Sequence, residues 1–437
     1  MLKNVFKRFS WLLGLALLIT MLAACSEDDQ TQGSANDSGD EGTSEFEGSL
    51  LAWAWDQNFN VAALEIAQNY FDEELKMEIV DSSSADIVQR LNAGLSSGTM
   101  KGMPNIVLIE DGRAQTFLRS YPNAFYPIGE YFNTDDFASY KIAPTSYDGK
   151  QYGLPFDTGV TGLFYRKDIL EEAGYSEEDL QNITWGEYVD IAIEVKEKTG
   201  TAMISLDPND LGIIRMMLQS AGSWYTTPDD EINIENNDAL KLALENYKKL
   251  MDSEAVYMVS DWSNYIGSFN NGDAATVPTG NWMAPSIEQA ESQAGLWRVA
   301  PIPRLDIDGA KNAANLGGSS WYVLNIDGKE KAAEFLGQTF GSNKDFYQDL
   351  VTEIGAIGTF KAASEGEAYQ IEDDFFGGQK LIYKFSQWME DIPQIDSGIN
   401  TNGIEGILEA EMQNYLKGES LEDVLNNTQE QAENQFK

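Results

Sequence analysis

Residues 49–110 read SLLAWAWDQNFNVAALEIAQNYFDEELKMEIVDSSSADIVQRLNAGLSSGTMKGMPNIVLIE. Ser49–Trp55 is a strand candidate, and Val61–Leu75 then carries Leu64, Ala67, Tyr70 and Phe71 at helical spacing. Met77–Val80 reads as a second strand, Ala85–Leu95 as a helix, and Ile106–Ile109 as a short buried strand. A β-α-β-α-β order implies parallel strands joined by right-handed crossovers, with helices on both faces of the sheet. The expected fold class is therefore α/β and doubly wound.

Further along, the same style recurs. Thr184-Trp185-Gly186-Glu187 is a capping box opening a helix through Val195. Ala239–Met251 and Lys329–Phe340 read as further amphipathic helices. The C-terminal stretch holds two more: Ile404–Leu416, then one capped by Ser420 with Asp423 at its third position. Gly317-Gly318 and Gly377-Gly378 punctuate the second half. No solenoid-length repeat and no second apolar span appears, so one soluble α/β body is expected.

The N-terminus carries an address. Lys3, Lys7 and Arg8 precede an apolar run from Trp11 to Leu22. That run is short of the roughly 20 residues a spanning helix needs, but it suits the apolar region of a signal peptide. Leu22-Ala23-Ala24-Cys25 follows and resembles the lipobox of bacterial lipoproteins, which implies removal of 1–24 and lipidation of Cys25. Residues 25–47 are rich in Ser, Gly, Asp, Glu, Asn, Gln and Thr. They are expected to be a disordered acidic tether, because so little apolar surface cannot repay the ordering entropy.

Composition excludes whole classes of chemistry. Of 437 residues, 29 are Lys or Arg and 71 are Asp or Glu, for a net charge of −42. Phosphate binding draws its affinity from clustered cations, so nucleic acid is not an expected partner. There is no histidine, which removes Ser-His and Cys-His catalytic pairs and imidazole metal sites. Cys25 is the single cysteine, so no intrachain disulfide or thiolate cluster can form. Asp306-Ile307-Asp308-Gly309 opens like a calcium loop but lacks the later acidic ligands and reads as a turn. No P-loop or strand-linked Gly-x-Gly-x-x-Gly is present, so neither a metal nor a cofactor is expected. The acidity suits saline or alkaline surroundings, where hydrated carboxylates maintain solubility. A glycosidase needs only two carboxylates, yet no pair stands out by spacing.

The aromatic residues say more. Trp53 and Trp55 lie two apart on the first strand and share a face, and that strand ends in Trp55-Asp56-Gln57-Asn58. Ligands of open α/β sheets bind beyond the carboxyl ends of strands. An indole offers a plane for the C–H face of a pyranose, and neighbouring Asp and Asn match its hydroxyls. Trp282, after Gly280-Asn281, and Trp321, after Gly317-Gly318-Ser319-Ser320, sit beside glycine and polar residues. Such positions are less typical of core.

Five stretches carry a family resemblance: YDGKQYGLPFDTGVTGLFYRKDILEEAGY with TWGEYVDIAIEVKEKTG, GMPNIVLIEDGRAQTFL, FNNGDAATVPTGNWM, WRVAPIPR and LGGSSWYVLNIDGKEKAAEFL. Taken in their order along the chain, they resemble the extracellular solute-binding proteins of bacterial carbohydrate ABC importers, the group that includes maltose-binding protein. The resemblance implies a two-lobed periplasmic-binding-protein-like fold, each lobe a sheet flanked by helices, with crossover hinges and a ligand cleft. Carried over, one lobe is 48–156 plus 322–370 and the other 157–321 plus 371–437. Hinges are expected near Asp157–Gly162, near Gly318–Trp321 and around residue 371. Sugar contacts implied by the resemblance fall at Trp55, Asp56, Asp111, Arg113, Asp157, Trp282, Gly318 and Trp321, with Trp224 from the second lobe.

The expected function is that of a lipid-anchored receptor on the outer face of the cytoplasmic membrane. It would bind a di- or oligosaccharide, close its lobes on it and deliver it as a monomer to a membrane permease. The competing readings are a cell-surface glycosidase, a static carbohydrate adhesin, and a receptor for a quaternary amine held in a tryptophan cage.

Overall fold

The computed structural model of the chain describes Phe46 and residues 48–436; the expected signal segment, Cys25 and nearly all of the tether lie outside the described residues. Strands β1 (Leu50–Ala54), β2 (Met77–Asp81) and β3 (Ile106–Glu110) come first, then a short hairpin of β4 (Ser146–Tyr147) and β5 (Lys150–Gln151), then β6 (Gly153–Pro155). β7 (Thr161–Arg166), β8 (Ala202–Leu206), β9 (Val256–Met258), β10 (Ala274–Gly280) and β11 (Trp297–Pro301) follow, and β12 (Ser319–Val323) is the last.

β1 pairs in parallel with both β2 and β3, as the crossover order requires. The first sheet is nevertheless mixed. β12 arrives from far along the chain and lies antiparallel between β3 and β6, giving the order β2-β1-β3-β12-β6. Every residue of β12 is buried, because helices cover both faces of a central strand. The second sheet has the order β11-β7-β10-β8-β9. In it β8, β9 and β10 run parallel, and β7 runs antiparallel to β10 and β11.

The helices form where apolar spacing and caps predict them, with one shortening. Thr184 and Glu187 exchange both hydrogen bonds of the capping box and open the helix Trp185–Thr199. The helix expected over Val61–Leu75 is only Ala62–Gln68, entered through a wide turn at Gln57–Val61. Tyr70 and Phe71 leave it to pack edge-on against Phe346 and Phe335, with ring centroids 5.8 and 5.5 Å apart. Tertiary packing of two aromatic rings outweighs the last two helical turns.

One apolar core joins Leu50, Leu154 and Trp321 of the first sheet to Phe340 and continues to Phe164, Val299 and Phe385 beside the second. A second core gathers Leu163, Ile204 and Ala275 with Leu408 and Val424 of the C-terminal helices Thr401–Leu416 and Leu421–Phe436. A third, around Trp53, Val107 and Tyr322, lies under the helix Ser84–Ser97.

Between the sheets, chain segments lie side by side. Thr161 donates to the Ala314 carbonyl (2.9 Å), Leu316 to Gly159 (2.8 Å) and Thr359 to Phe156 (2.9 Å). A Cβ on Gly159 would stand 2.3 Å from the Leu316 carbonyl oxygen, so only glycine permits this approach. Two helix-flanked sheets joined by adjacent crossing segments make a two-lobed α/β fold.

Candidate functional site

A cleft of about 1240 Å³ opens where the ends of β1 and β3 face the crossing segments and the turn after β10. Trp55 is the first residue past β1 and lines it, resting half-buried on the first-sheet core. Asp56 follows with φ of 65°, and its carboxylate accepts the Asn58 amide at 3.1 Å. That self-capping bends the chain away from the sheet and leaves Trp55 at the cleft wall.

Asp111 is at the floor, at the end of β3, and is almost fully buried. Its partner is Lys141, whose side chain has no exposure at all. The Lys141 ammonium also donates to the Asp157 and Ser319 carbonyls, each at 2.8 Å. Ser320 Oγ donates to Asp111 at 2.8 Å. Burial raises the Asp111 carboxyl pKa, and Lys141 and Ser320 pull against that rise. Asp157 sits on the first crossing segment and accepts both the Ser319 amide (2.6 Å) and its hydroxyl (2.7 Å). Gly318 has φ of 89°, and a Cβ there would come within 3.2 Å of Asp111 and 3.3 Å of the Asp157 carbonyl. Lys141 thus fastens the end of β3 to two crossing segments.

Arg113 lines the cleft half-exposed, with its Nε donating to Glu110 at 2.8 Å. Trp224 lines it too but is mostly buried, its ring N–H donating to Thr401 at 2.8 Å. Trp282 is 40% exposed, held by a 2.8 Å bond from its ring N–H to the Leu316 carbonyl. Asn58 and Asn281, read from sequence as hydroxyl-matching groups, also line the cleft.

Trp321 does not reach it. The ring is fully buried between Phe156 (5.6 Å) and Phe340 (5.6 Å), because β12 is a central strand and its side chains point into cores. The structure therefore brings together Trp55, Asp56, Asp111, Arg113, Asp157, Trp224, Trp282 and Gly318 and leaves Trp321 in the core.

Sequence reasoning missed Lys141, Asn60, Arg215 and Glu288. Lys141 had a readable signal, a lysine set among Phe137, Tyr140 and Ile142. Asn60 had none. Its Oδ1, and that of Asn281, are buried at the cleft without a protein hydrogen-bond donor among the described residues. Leaving such an acceptor unmatched costs about 1–3 kcal/mol, which a ligand O–H would recover. Glu288 also lines the cleft, and burial, with the charge of Asp373, raises its carboxyl pKa to about 6. Among the described residues, no group of three His, Cys, Asp or Glu side chains is placed to hold a metal.

The family model for bacterial extracellular solute-binding proteins matches residues 61–376. The chain belongs to this family. Among curated relatives of this solute-binding protein, a lactose-binding protein of Rhizobium radiobacter is 42% identical over 398 residues, covering 90% of this chain and 94% of the relative. An arabinooligosaccharide-binding protein of Bacillus subtilis is 27% identical over 343 residues, covering 76% and 75%. Among solved structures, an ABC-transporter-associated binding protein of B. animalis subsp. lactis in complex with β-1,6-galactobiose superposes with a TM-score of 0.67. It is 23% identical, and the match covers 89% of this chain and 98% of that one. These relatives are binding proteins rather than enzymes.

Proposed function

We propose that the chain is the sugar receptor of a bacterial ABC importer, taking a di- or oligosaccharide into the interlobe cleft and presenting it to the membrane permease. The observation that carries this reading is the pairing of exposed indole with unmatched acceptors. Trp55 and Trp282 offer faces for sugar C–H surface, while Asn60 and Asn281 hold buried amide oxygens that lack donors. The lactose-binding relative, similar over nearly the whole chain, supports the same ligand class.

In this reading Trp55, Trp282 and Trp224 are the stacking surfaces, and Asp56, Asp111, Arg113 and Asp157 set hydroxyl orientation. Gly318 keeps the floor open. The lobes are those of residues 48–156 and 322–370, and of 157–321 and 371–437. Sugar touching both lobes favours the closed form, which is what a permease would recognise. Cys25 is the lipid attachment point, the chain is a monomer, and it works at the outer face of the cytoplasmic membrane without a cofactor. Glycoside hydrolysis is disfavoured because the relatives similar over most of the chain are binding proteins.

A thermal-shift screen against lactose, other galactosides and arabino-oligosaccharides tests the reading. A ligand at 100 times its Kd stabilises by about 2.7 kcal/mol, and product analysis after incubation should return the sugar intact. No shift with any saccharide, or a cleaved product, overturns it. Mass spectrometry of the mature N-terminus tests the anchor, and a Cys25 free of lipid would remove it.

A further inference from the structure

Trp282 borders two cavities, the interlobe cleft and a smaller one of about 140 Å³. The smaller cavity lies where three parallel strands of the second sheet end, at Leu206, Met258 and Gly280. The loops that follow them supply Asp207 and Asp210, Trp262, and Trp282 to its wall. Convergence of loops beyond parallel strand ends is where α/β sheets bind ligands.

Trp262 opens the helix Trp262–Asn270 and is 57% exposed. Trp185, Trp297 and Trp321 are fully buried and Trp282 is less open, so Trp262 is the most exposed tryptophan among the described residues. Its ring centroid is 6.0 Å from that of Trp282, with planes 35° apart, and 5.7 Å from Tyr265 at 36°. The three rings form a tilted row that runs from the cleft into the smaller cavity. Oδ1 of Asp207 accepts the Asn209 amide and Oδ1 of Asp210 accepts that of Gly212, while Oδ2 of each has no protein donor among the described residues.

We propose that this smaller cavity is a further carbohydrate subsite. It holds one ring of a saccharide whose neighbouring unit lies against Trp282 in the cleft, so the preferred ligand has at least three units. The inference rests on the reading of the cleft as a sugar site. The C–H face of the added ring packs on Trp262, and its hydroxyls donate to the open oxygens of Asp207 and Asp210. A quaternary ammonium would also suit aromatic rings beside carboxylates. Rings that lean on one another at these separations leave no gap between them to cage a cation, and the run of rings begins at the cleft, so an open ring face for a sugar is the better match.

Isothermal titration of the purified chain with matched pairs tests this: lactose against a galactosyl-lactose trisaccharide, and arabinobiose against arabinotriose, with glycine betaine as the cationic probe. One good aromatic contact predicts that the longer member binds about tenfold more tightly than the shorter. Trp262→Ala should bring that ratio close to one, and Trp262→Tyr should restore most of it, with unchanged melting curves. A ratio near one in the unaltered chain, a ratio that survives Trp262→Ala, or displacement of the trisaccharide by glycine betaine overturns the subsite. Binding of neither pair overturns the sugar reading of the cleft itself, a different result from shorter and longer sugars binding equally.

Discussion

The ammonium of Lys141 is fully buried against the carboxylate of Asp111, thirty residues earlier in the chain. The pair is the centre of the cleft floor, because Lys141 also holds the Asp157 and Ser319 carbonyls. Removing the cation alone leaves the buried carboxylate with the Ser320 hydroxyl but no compensating charge. Lys141→Met should therefore cost about 3–5 kcal/mol in urea unfolding at neutral pH. The double variant Lys141→Met, Asp111→Asn should recover a large part of that loss. Burial already raises the Asp111 pKa, so in the single variant the penalty applies above the folded pKa and is relieved as pH falls through it. A double variant no more stable than the single one would show that the pair is not the coupled unit.

Trp282 is half-open to the cleft, hydrogen-bonded through its ring N–H and leaning on the exposed Trp262. Trp282→Ala should weaken sugar binding by about 1–3 kcal/mol while leaving the ligand-free melting temperature nearly unchanged. The buried Trp321 gives the contrasting outcome. Trp321→Ala should cost roughly 3–5 kcal/mol of stability, as for a large core side chain. Calorimetry and denaturant unfolding on both variants separate the roles, and similar stability losses in the two would place Trp282 in the core.

Arg119, on the helix Asp111–Ser120, pairs with Asp230 and, at 3.2 Å, with Asp396. Gln394 reaches the same way to the Ser139 carbonyl at 2.5 Å. On the lobe boundaries proposed above, these contacts join one lobe to the other. Partly exposed pairs contribute up to about 1 kcal/mol, so Arg119→Ala should weaken sugar binding by up to about fivefold. Affinity of the unaltered chain should fall between low and high salt more than that of the variant. Equal salt dependence would separate these pairs from closure.

Glu288 should make stability depend on pH near 6. Its carboxyl is raised to about 6 by burial, with Asp373 adding to the rise. A raised carboxyl pKa means the folded chain holds the proton more tightly than the unfolded one. The penalty is absent below the unfolded value of about 4.3 and grows as pH rises to about 6, where it levels off. Melting temperatures of Glu288→Gln and the unaltered chain should therefore diverge in favour of the variant across that window. Parallel curves would show that the carboxyl titrates at its ordinary value.

By itself the sequence determined what short-range order can encode. The parallel β1-β2-β3 unit was legible because apolar runs and helical spacing over residues 49–110 are local patterns, and so was the capping box at Thr184. The Gly280-Asn281-Trp282 turn was legible for the same reason, since glycine followed by asparagine favours a sharp change of chain direction. Trp321 follows glycines and serines in a similar way, yet the tertiary structure made it core. It lies on a strand that pairs with β3 and β6, whose partners come from more than 150 residues away. Only that long-range pairing decides which flank of a glycine-rich segment is covered. Asn60 and Trp262 belong to the same class, and so does Lys141 as regards its partners, although its apolar surroundings were readable. Their roles depend on which distant backbone carbonyls, cleft walls and rings fold against them, and no spacing along the chain records that.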